Sequence, residues 1–306
     1  MEKGTEIMLA QTAHSAAEAE TAALLADGLY AGTDLTVKFS GEIAAERFNG
    51  DAWGWIKRRI RDHNFAGIHV WDYIPFTVSE NSYKARIIGM DTYLGMGDTE
   101  ISHHIDWMVE ELWPVCHAIN KADYNNGSSA AQNPWKACDG YFWLNNLMGS
   151  VPNGTGPNPA MASVNYLASG VFSTLPQKLK NVIAEKRMLV PKRYSSSALL
   201  AQATDWGWET IGRLWLPTEC EVFGYPVWAD QAYEKGCSVQ YAAFAGSGAR
   251  RVKRVGNTRT PWWLLSAYAA EGDTQADWTV VTANGQIGHI PASSDTVAMP
   301  ICFRIT

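Results

Sequence analysis

Residues 276–291, ADWTVVTANGQIGHIP, decide how the rest of the chain is read. Two runs of β-branched and aromatic residues flank Asn284-Gly285, a pair that favours the positive φ angles of a tight two-residue hairpin. The spacing predicts one strand over TVVTA and a second over QIGHI. Working backward, TPWWLLSAY (260–268) is a further strand, and working forward VAMPICFRIT (297–306) is a terminal one. Strand alternation sends Trp262 and Trp263 to opposite sides, so the expectation is that one of them is core. LWLPTECEVFG and YAAFAG are further strand candidates in this last third. Within the first of these, Thr218 followed by Glu221 also reads as a helix capping box, the preferred reading of that tetrapeptide.

Earlier segments carry the helical period. DAWGWIKRRIRDHNF (51–65) puts Trp53, Ile56 and Ile60 on one face. Ile105, Met108, Leu112 and Val115 predict a helix over 104–120, capped by Ser102 and interrupted at Pro114. A second helix is expected over 138–148, and a third over LPQKLKNVIAEKRMLV with Pro176 near its start. Between these, GIHVWDYIPFTV and YKARIIGMDTYL read as two strands, and GSVPNGTGPNPAMAS as a long irregular loop. Helices in the middle and a meandering sheet at the end make an α+β protein. The Ala/Glu-rich stretch Ala13–Leu29 predicts a helix fit for docking or oligomerisation, or one lying on the protein body. The expected organisation is a small helical attachment or oligomerisation region over 1–66, followed by a binding domain over 67–306.

Composition narrows the function. The 306 residues are 46% hydrophobic and 18% charged, with 14 Trp and a net charge of −6. Such a charge balance argues against nucleic acid as a partner, and the basic group Arg250, Arg251, Lys253 and Arg254 reads as a solvated loop or strand edge. No run approaches the ~20 apolar residues of a membrane span. The first residues lack a secretion-signal pattern, so synthesis in the cytoplasm without a signal peptide is expected. Five scattered cysteines form neither a disulfide framework nor a metal motif. No phosphate loop, HExxH or GxSxG occurs, no cofactor is expected, and neither is a metal site. His103-His104 with Asp106 forms a compact group, but adjacent histidines diverge and would need distant help to share an ion.

The ordered segments LWLPTECEVFG, PWWLLSAY, NGQIG and MPICFRIT, with DYIPFTV…ARIIGMDTY and the WLNNL helix, resemble a bacterial and phage domain family of uncharacterised function over roughly 67–306. The closing pattern also resembles the C-type-lectin-like fold of formylglycine-generating enzymes and of the variable receptor-binding proteins of diversity-generating retroelements. The resemblance implies short twisted antiparallel strands, several helices and long loops. It does not imply formylglycine chemistry here, because Cys302 has no second cysteine near it in sequence.

In the retroelement-diversified proteins the corresponding C-terminal stretch carries the variable contact residues. Here Ser266–Thr296 combines small polar residues with aromatics, a composition suited to recognition. The candidate contact face is Tyr268, Asp273, Gln275, Asp277, Trp278, Asn284, Gln286 and His289, with Trp278 fitting the face or the core equally. The expected function is a virion or particle surface protein (head fibre, decoration or tail-associated) that binds a host surface glycan or protein. A homo-oligomer, a trimer by preference, and contacts to other virion proteins accompany it. Two alternatives stand: an architectural shell component, or a glycan- or protein-modifying enzyme using Glu219 and Glu221.

Overall fold

A computed structural model describes residues 30–113, 115–124, 133–154, 159–192, 205–229, 239–246, 248–268 and 276–306, with Ala16, Ala19 and Ala23 as isolated helical positions. The rest of the helix expected over Ala13–Leu29 lies outside the described residues.

Helices α1 (Leu35–Lys38), α2 (Ser40–Ala44) and α3 (Ala52–Arg61) lead into strands β1 (Tyr73–Val78), β2 (Asn81–Met90) and β3 (Ile105–Val109). A 3-10 turn at Trp135–Ala137 precedes α4 (Asp139–Asn145), β4 (Met148–Pro152) and β5 (Met161–Asn165). Next come α5 (Val171–Thr174), α6 (Gln177–Lys180), β6 (Ile183–Ala184), β7 (Arg187–Lys192), β8 (Asp205–Thr210), α7 (Glu219–Phe223) and α8 (Ala242–Ala245). The chain closes with β9 (Arg254–Val255), β10 (Thr258–Arg259), β11 (Trp262–Ala267), β12 (Asp277–Val281), β13 (Ile287–Pro291) and β14 (Cys302–Ile305). The fold is α+β, and the strands pair antiparallel throughout the described sheets.

The main sheet has the order β1-β2-β3-β14-β6. Its centre joins β3 to the C-terminal strand, with Phe303 opposite Trp107 and Arg304 opposite Asp106. Period-2 alternation then divides the sheet into two faces. Ile105, Trp107, Val109, Phe303 and Ile305 face one side, where Trp53 of α3 packs edge-on against Trp107 and Phe303 with ring centroids 5.8 and 6.1 Å apart. Residues 35–61 thus share the hydrophobic core with the C-terminal strand. Asp106, Met108, Cys302 and Arg304 face the other side, where the interior is polar.

A second sheet, β11-β12-β13, contains the expected hairpin, but with a three-residue loop, 283–285, closed by the Thr282 amide donating to the Gln286 carbonyl; there Gly285 alone takes a positive φ, +79°. Trp262 and Trp263 do point opposite ways, yet both are fully buried, because β11 is covered on both faces. Their indole N–H groups donate to the Arg251 and His117 carbonyls, so neither polar tip is stranded. Much of the tryptophan load serves this interior: Trp55, Trp107, Trp135, Trp215, Trp262, Trp263 and Trp278 are all enclosed.

Several local expectations give way. In place of the helix over 104–120 the chain forms the strand β3 at Ile105–Val109, whose five residues are all buried, and the described residues after it are irregular. A strand covered on both faces is apolar at nearly every position and so satisfies a helical spacing by coincidence. The long third helix is only α6, after which the chain turns into β6 and β7. YAAFAG forms the short helix α8 rather than a strand, and the GSVPNGTGPNPAMAS loop contains the β4–β5 pairing. The basic cluster divides: Arg250 is 8% and Lys253 4% exposed, against the expectation, whereas Arg251 is half-buried and Arg254 lies exposed on β9. Lys253 Nζ donates to the Val109 and Glu110 carbonyls, and burial pulls its pKa down to about 8. The capping box is present as read, with Thr218 accepting from the Glu221 amide and Glu221 accepting from Thr218 N–H.

Candidate functional site

Beneath the polar face of the main sheet lies a chain of buried charges. Arg304 grips Asp106 through two hydrogen bonds of 2.7 Å, and Tyr241 OH donates to the same carboxylate at 2.8 Å. Lys186 Nζ, fully buried, reaches Tyr241 OH at 2.9 Å and Glu221 Oε1 at 2.5 Å, and Tyr93 OH donates to that same oxygen at 2.6 Å. The ammonium sits 3.8 Å from the Trp215 ring centroid, a desolvated cation–π contact. Burial alone would raise the Asp106 pKa, but the charge and hydrogen bonds of Arg304, with Lys186 beyond, hold it well below the usual carboxylate range. Burial and the neighbouring carboxylates push the Tyr93 and Tyr241 hydroxyls well up. These groups fix one another by direct hydrogen bonds within the buried interior.

Glu219 and Glu221, the carboxylates of the enzyme alternative, are both fully buried and committed to separate tasks. Glu221 caps α7 and pairs with Lys186. Glu219 accepts from the successive amides of Val227, Trp228 and Ala229 at 2.8 to 3.2 Å. Its pKa is nonetheless raised, because burial outweighs those amide bonds. The consequence is positional: the Glu219 carboxylate clamps the loop that carries Trp228.

Trp228 lies beside part of the predicted contact face. Its ring is 5.8 Å from Tyr268 and 4.9 Å from His289, and Tyr268 and His289 are 4.5 Å apart. His289 Nδ1 is hydrogen-bonded to Asp277 Oδ2 at 2.5 Å. The β12–β13 register explains this meeting. Thr279 faces His289, so Asp277, two residues back on the same face, is its diagonal neighbour. Tyr268, expected to be exposed, is only 5% so and forms the floor, while Trp228, His289 and Asp277 are half-buried above it.

The remaining predicted residues do not join this cluster. Trp278 is core, with no exposure and its Nε1 donating to the Leu264 carbonyl at 2.8 Å. Asn284 and Gln286 sit exposed at the hairpin tip, with Gln286 three residues beyond His289, about 10 Å at ~3.4 Å per residue. Asp273 and Gln275 lie outside the described residues. Trp228 itself escaped the sequence reading. The only local signal is an aromatic residue after the Gly224-Tyr225-Pro226 turn, and nothing local reveals the Glu219 clamp.

The His103-His104-Asp106 group also separates. His104 is buried, with Nδ1 on the Ser102 carbonyl and Nε2 accepting from the Tyr93 amide, and Asp106 belongs to Arg304. His103 turns outward to Asp91 and His63.

A family model described as a domain of unknown function (DUF6273) matches residues 110–306. The chain belongs to this family. The matched span contains Trp228, Tyr268, Asp277 and His289, as well as Glu219, whereas Tyr93, Asp106 and the His63–Asp91–His103 group precede it. No curated protein and no solved structure matches the chain. Among the described residues, no helix is long and apolar enough to cross a membrane.

Proposed function

We propose that this chain is a binding protein displayed on a virion or particle, and that it holds a host surface glycan or protein against Trp228, His289 and Asp277. The observation that carries this reading is the convergence of three rings, Trp228, Tyr268 and His289, with a carboxylate at their rim. Half-buried aromatics beside a hydrogen-bonding acid suit the apolar face and hydroxyl edge of a sugar, or an aromatic or cationic protein side chain. Three backbone amides anchored on Glu219 hold the Trp228 loop in advance of binding, which lowers the entropy cost of recognition. A homotrimer would present three such clusters and gain avidity.

We read the 67–306 body as C-type-lectin-like. Support comes from its short antiparallel strands, its long connections and a terminal strand placed inside the main sheet beside β3. The architectural alternative draws on a different feature, the outward Met148, Met161 and Leu167 around the β4–β5 hairpin, each more than half exposed.

The test is binding of the purified chain to a glycan array and to intact candidate host cells, with Trp228→Ala and His289→Ala beside it. Val37→Ser, at an exposed helix position remote in sequence from the cluster, serves as control. The reading expects both cluster variants to weaken binding at least tenfold and the control to bind as wild type. Cluster variants that bind unchanged would overturn it.

A further inference from the structure

We propose that His63, Asp91 and His103 form a site for a divalent first-row transition ion, zinc-like in its preferences, on the flank of the main sheet. One ligand atom from each of the three lies within 4.8 Å of the others. His103 Nδ1 is 2.7 Å and His63 Nε2 3.7 Å from the same oxygen, Asp91 Oδ2. These separations bracket the roughly 3.3 Å between ligand atoms of a tetrahedral ion with ~2.0 Å bonds. Two imidazoles and one carboxylate match zinc, nickel or cobalt and disfavour magnesium and calcium, which prefer oxygen ligands.

Two features distinguish this group from a chance surface hydrogen bond. First, the carboxylate is oriented from behind. Asp91 Oδ1 accepts the His104 amide at 2.8 Å, while the Asp91 amide donates to the His104 carbonyl, so Oδ2 is left facing the two imidazoles. Such support from outside the ligand set is what metal sites use to fix their ligands.

Second, His63 occupies a backbone position made for glycine. It follows the C-cap of α3 with φ +48°, its amide donating to the Ile60 carbonyl and the Asn64 amide to the Arg59 carbonyl. This is a Schellman ending, where glycine avoids the steric penalty of a Cβ. Asp91 also has a positive φ, +51°. Non-glycine residues at such angles gather where function demands them.

The His63 and His103 rings stack nearly parallel with centroids 3.6 Å apart, Phe65 presenting its edge to both, so co-ligation requires the His63 ring to leave this stack. The His63 side chain is 59% exposed, so it is free to swing its Nε2 onto the shared ion, and the same open side admits water as the fourth ligand. Bound there, the ion would tie the C-terminal end of α3 to the β2–β3 connection, a join that precedes the span of the family match.

The experiment titrates the full chain with Co²⁺, following its visible ligand-field absorption, and then displaces it with Zn²⁺. His63→Gly, His103→Ala and Cys116→Ser are titrated alongside. The wild type is expected to bind one equivalent with a tetrahedral or five-coordinate spectrum, and zinc should raise its melting temperature. His63→Gly and His103→Ala should each weaken binding at least tenfold, while Cys116→Ser binds as wild type. His63→Gly is the decisive variant, because glycine suits that φ angle and the apo-protein should melt no lower than wild type. No saturable Co²⁺ or Zn²⁺ binding below millimolar concentration would overturn the proposal. So would a folded His63→Gly chain with undiminished affinity.

Discussion

Replacing Arg304 by Met should cost far more than losing a surface ion pair, and the cost should shrink as the solution is acidified. Arg304 and Asp106 are cross-strand partners, 3% and 0% exposed in their side chains, joined by two 2.7 Å hydrogen bonds. Methionine removes both bonds and leaves Asp106 with Tyr241 OH at 2.8 Å as its remaining short side-chain donor. Breaking a buried pair on one side costs about 3–5 kcal/mol. That is a large share of the ~5–15 kcal/mol that holds a typical domain folded. In the wild type, Asp106 has a depressed pKa, so its contribution is full above the unfolded value near ~3.9 and is lost below it. Without Arg304 the burial effect dominates and the folded-state pKa rises above the unfolded one. The variant then gains stability relative to wild type as pH falls from 7 toward 4.5. Urea unfolding followed by tryptophan fluorescence at both pH values measures the gap. The double variant Asp106→Asn/Arg304→Met should recover at least half of the loss at pH 7, since an amide still accepts from Tyr241 and carries no charge. A gap below about 1 kcal/mol at pH 7, the size of an exposed pair, would refute the reasoning. A gap that widens on acidification would do the same.

Lys253 titrates near 8 in the folded chain and near ~10.4 unfolded, so the unfolded state binds the extra proton between those values and stability rises with pH across that window. Relative to Lys253→Met, the wild type should gain up to about 3 kcal/mol between pH 7 and 10.5, and parallel stability curves for the two proteins would contradict this. Gly89→Ala places a Cβ 2.6 Å from the Tyr241 ring and 2.3 Å from Thr92 Oγ1, at the irregularity in the β2–β3 pairing. The ring is held by Asp106 and Lys186, so overpacking should cost about 2–3 kcal/mol, visible as a lowered thermal midpoint. Thr218→Ala removes the capping-box hydroxyl and should cost about 1 kcal/mol in the same assay.

What the sequence reveals here is what local chemistry can encode. Asn284-Gly285 states a hairpin, Thr218 and Glu221 state a cap, and Trp53, Ile56 and Ile60 state a helix face. Each is set by residues within a few positions of one another. The buried charges are of another kind. Lys186 meets Glu221 across 35 positions and Asp106 meets Arg304 across 198, and no spacing rule links such pairs. The same holds for the site. Asp277 and His289 share a hairpin and lie within reach of sequence reasoning, but Trp228 arrives from another loop held by Glu219, which the sequence offers as half of a carboxylate pair with no sign of the amides it accepts. Trp278 shows the converse. Its polar neighbours suggest a surface, whereas the sheet face it projects from packs into the hydrophobic core and leaves it enclosed. His103 likewise finds its partners at His63 and Asp91 rather than next to it in the chain.

The most direct test of the binding reading is electron cryomicroscopy of the chain in its native assembly, asking where Trp228, His289 and Asp277 point. The account predicts an oligomeric projection with this cluster turned outward and open to solvent. A cluster buried between neighbouring subunits, with the β4–β5 hairpin also packed against a neighbour, would contradict it and make the chain a structural component of the shell.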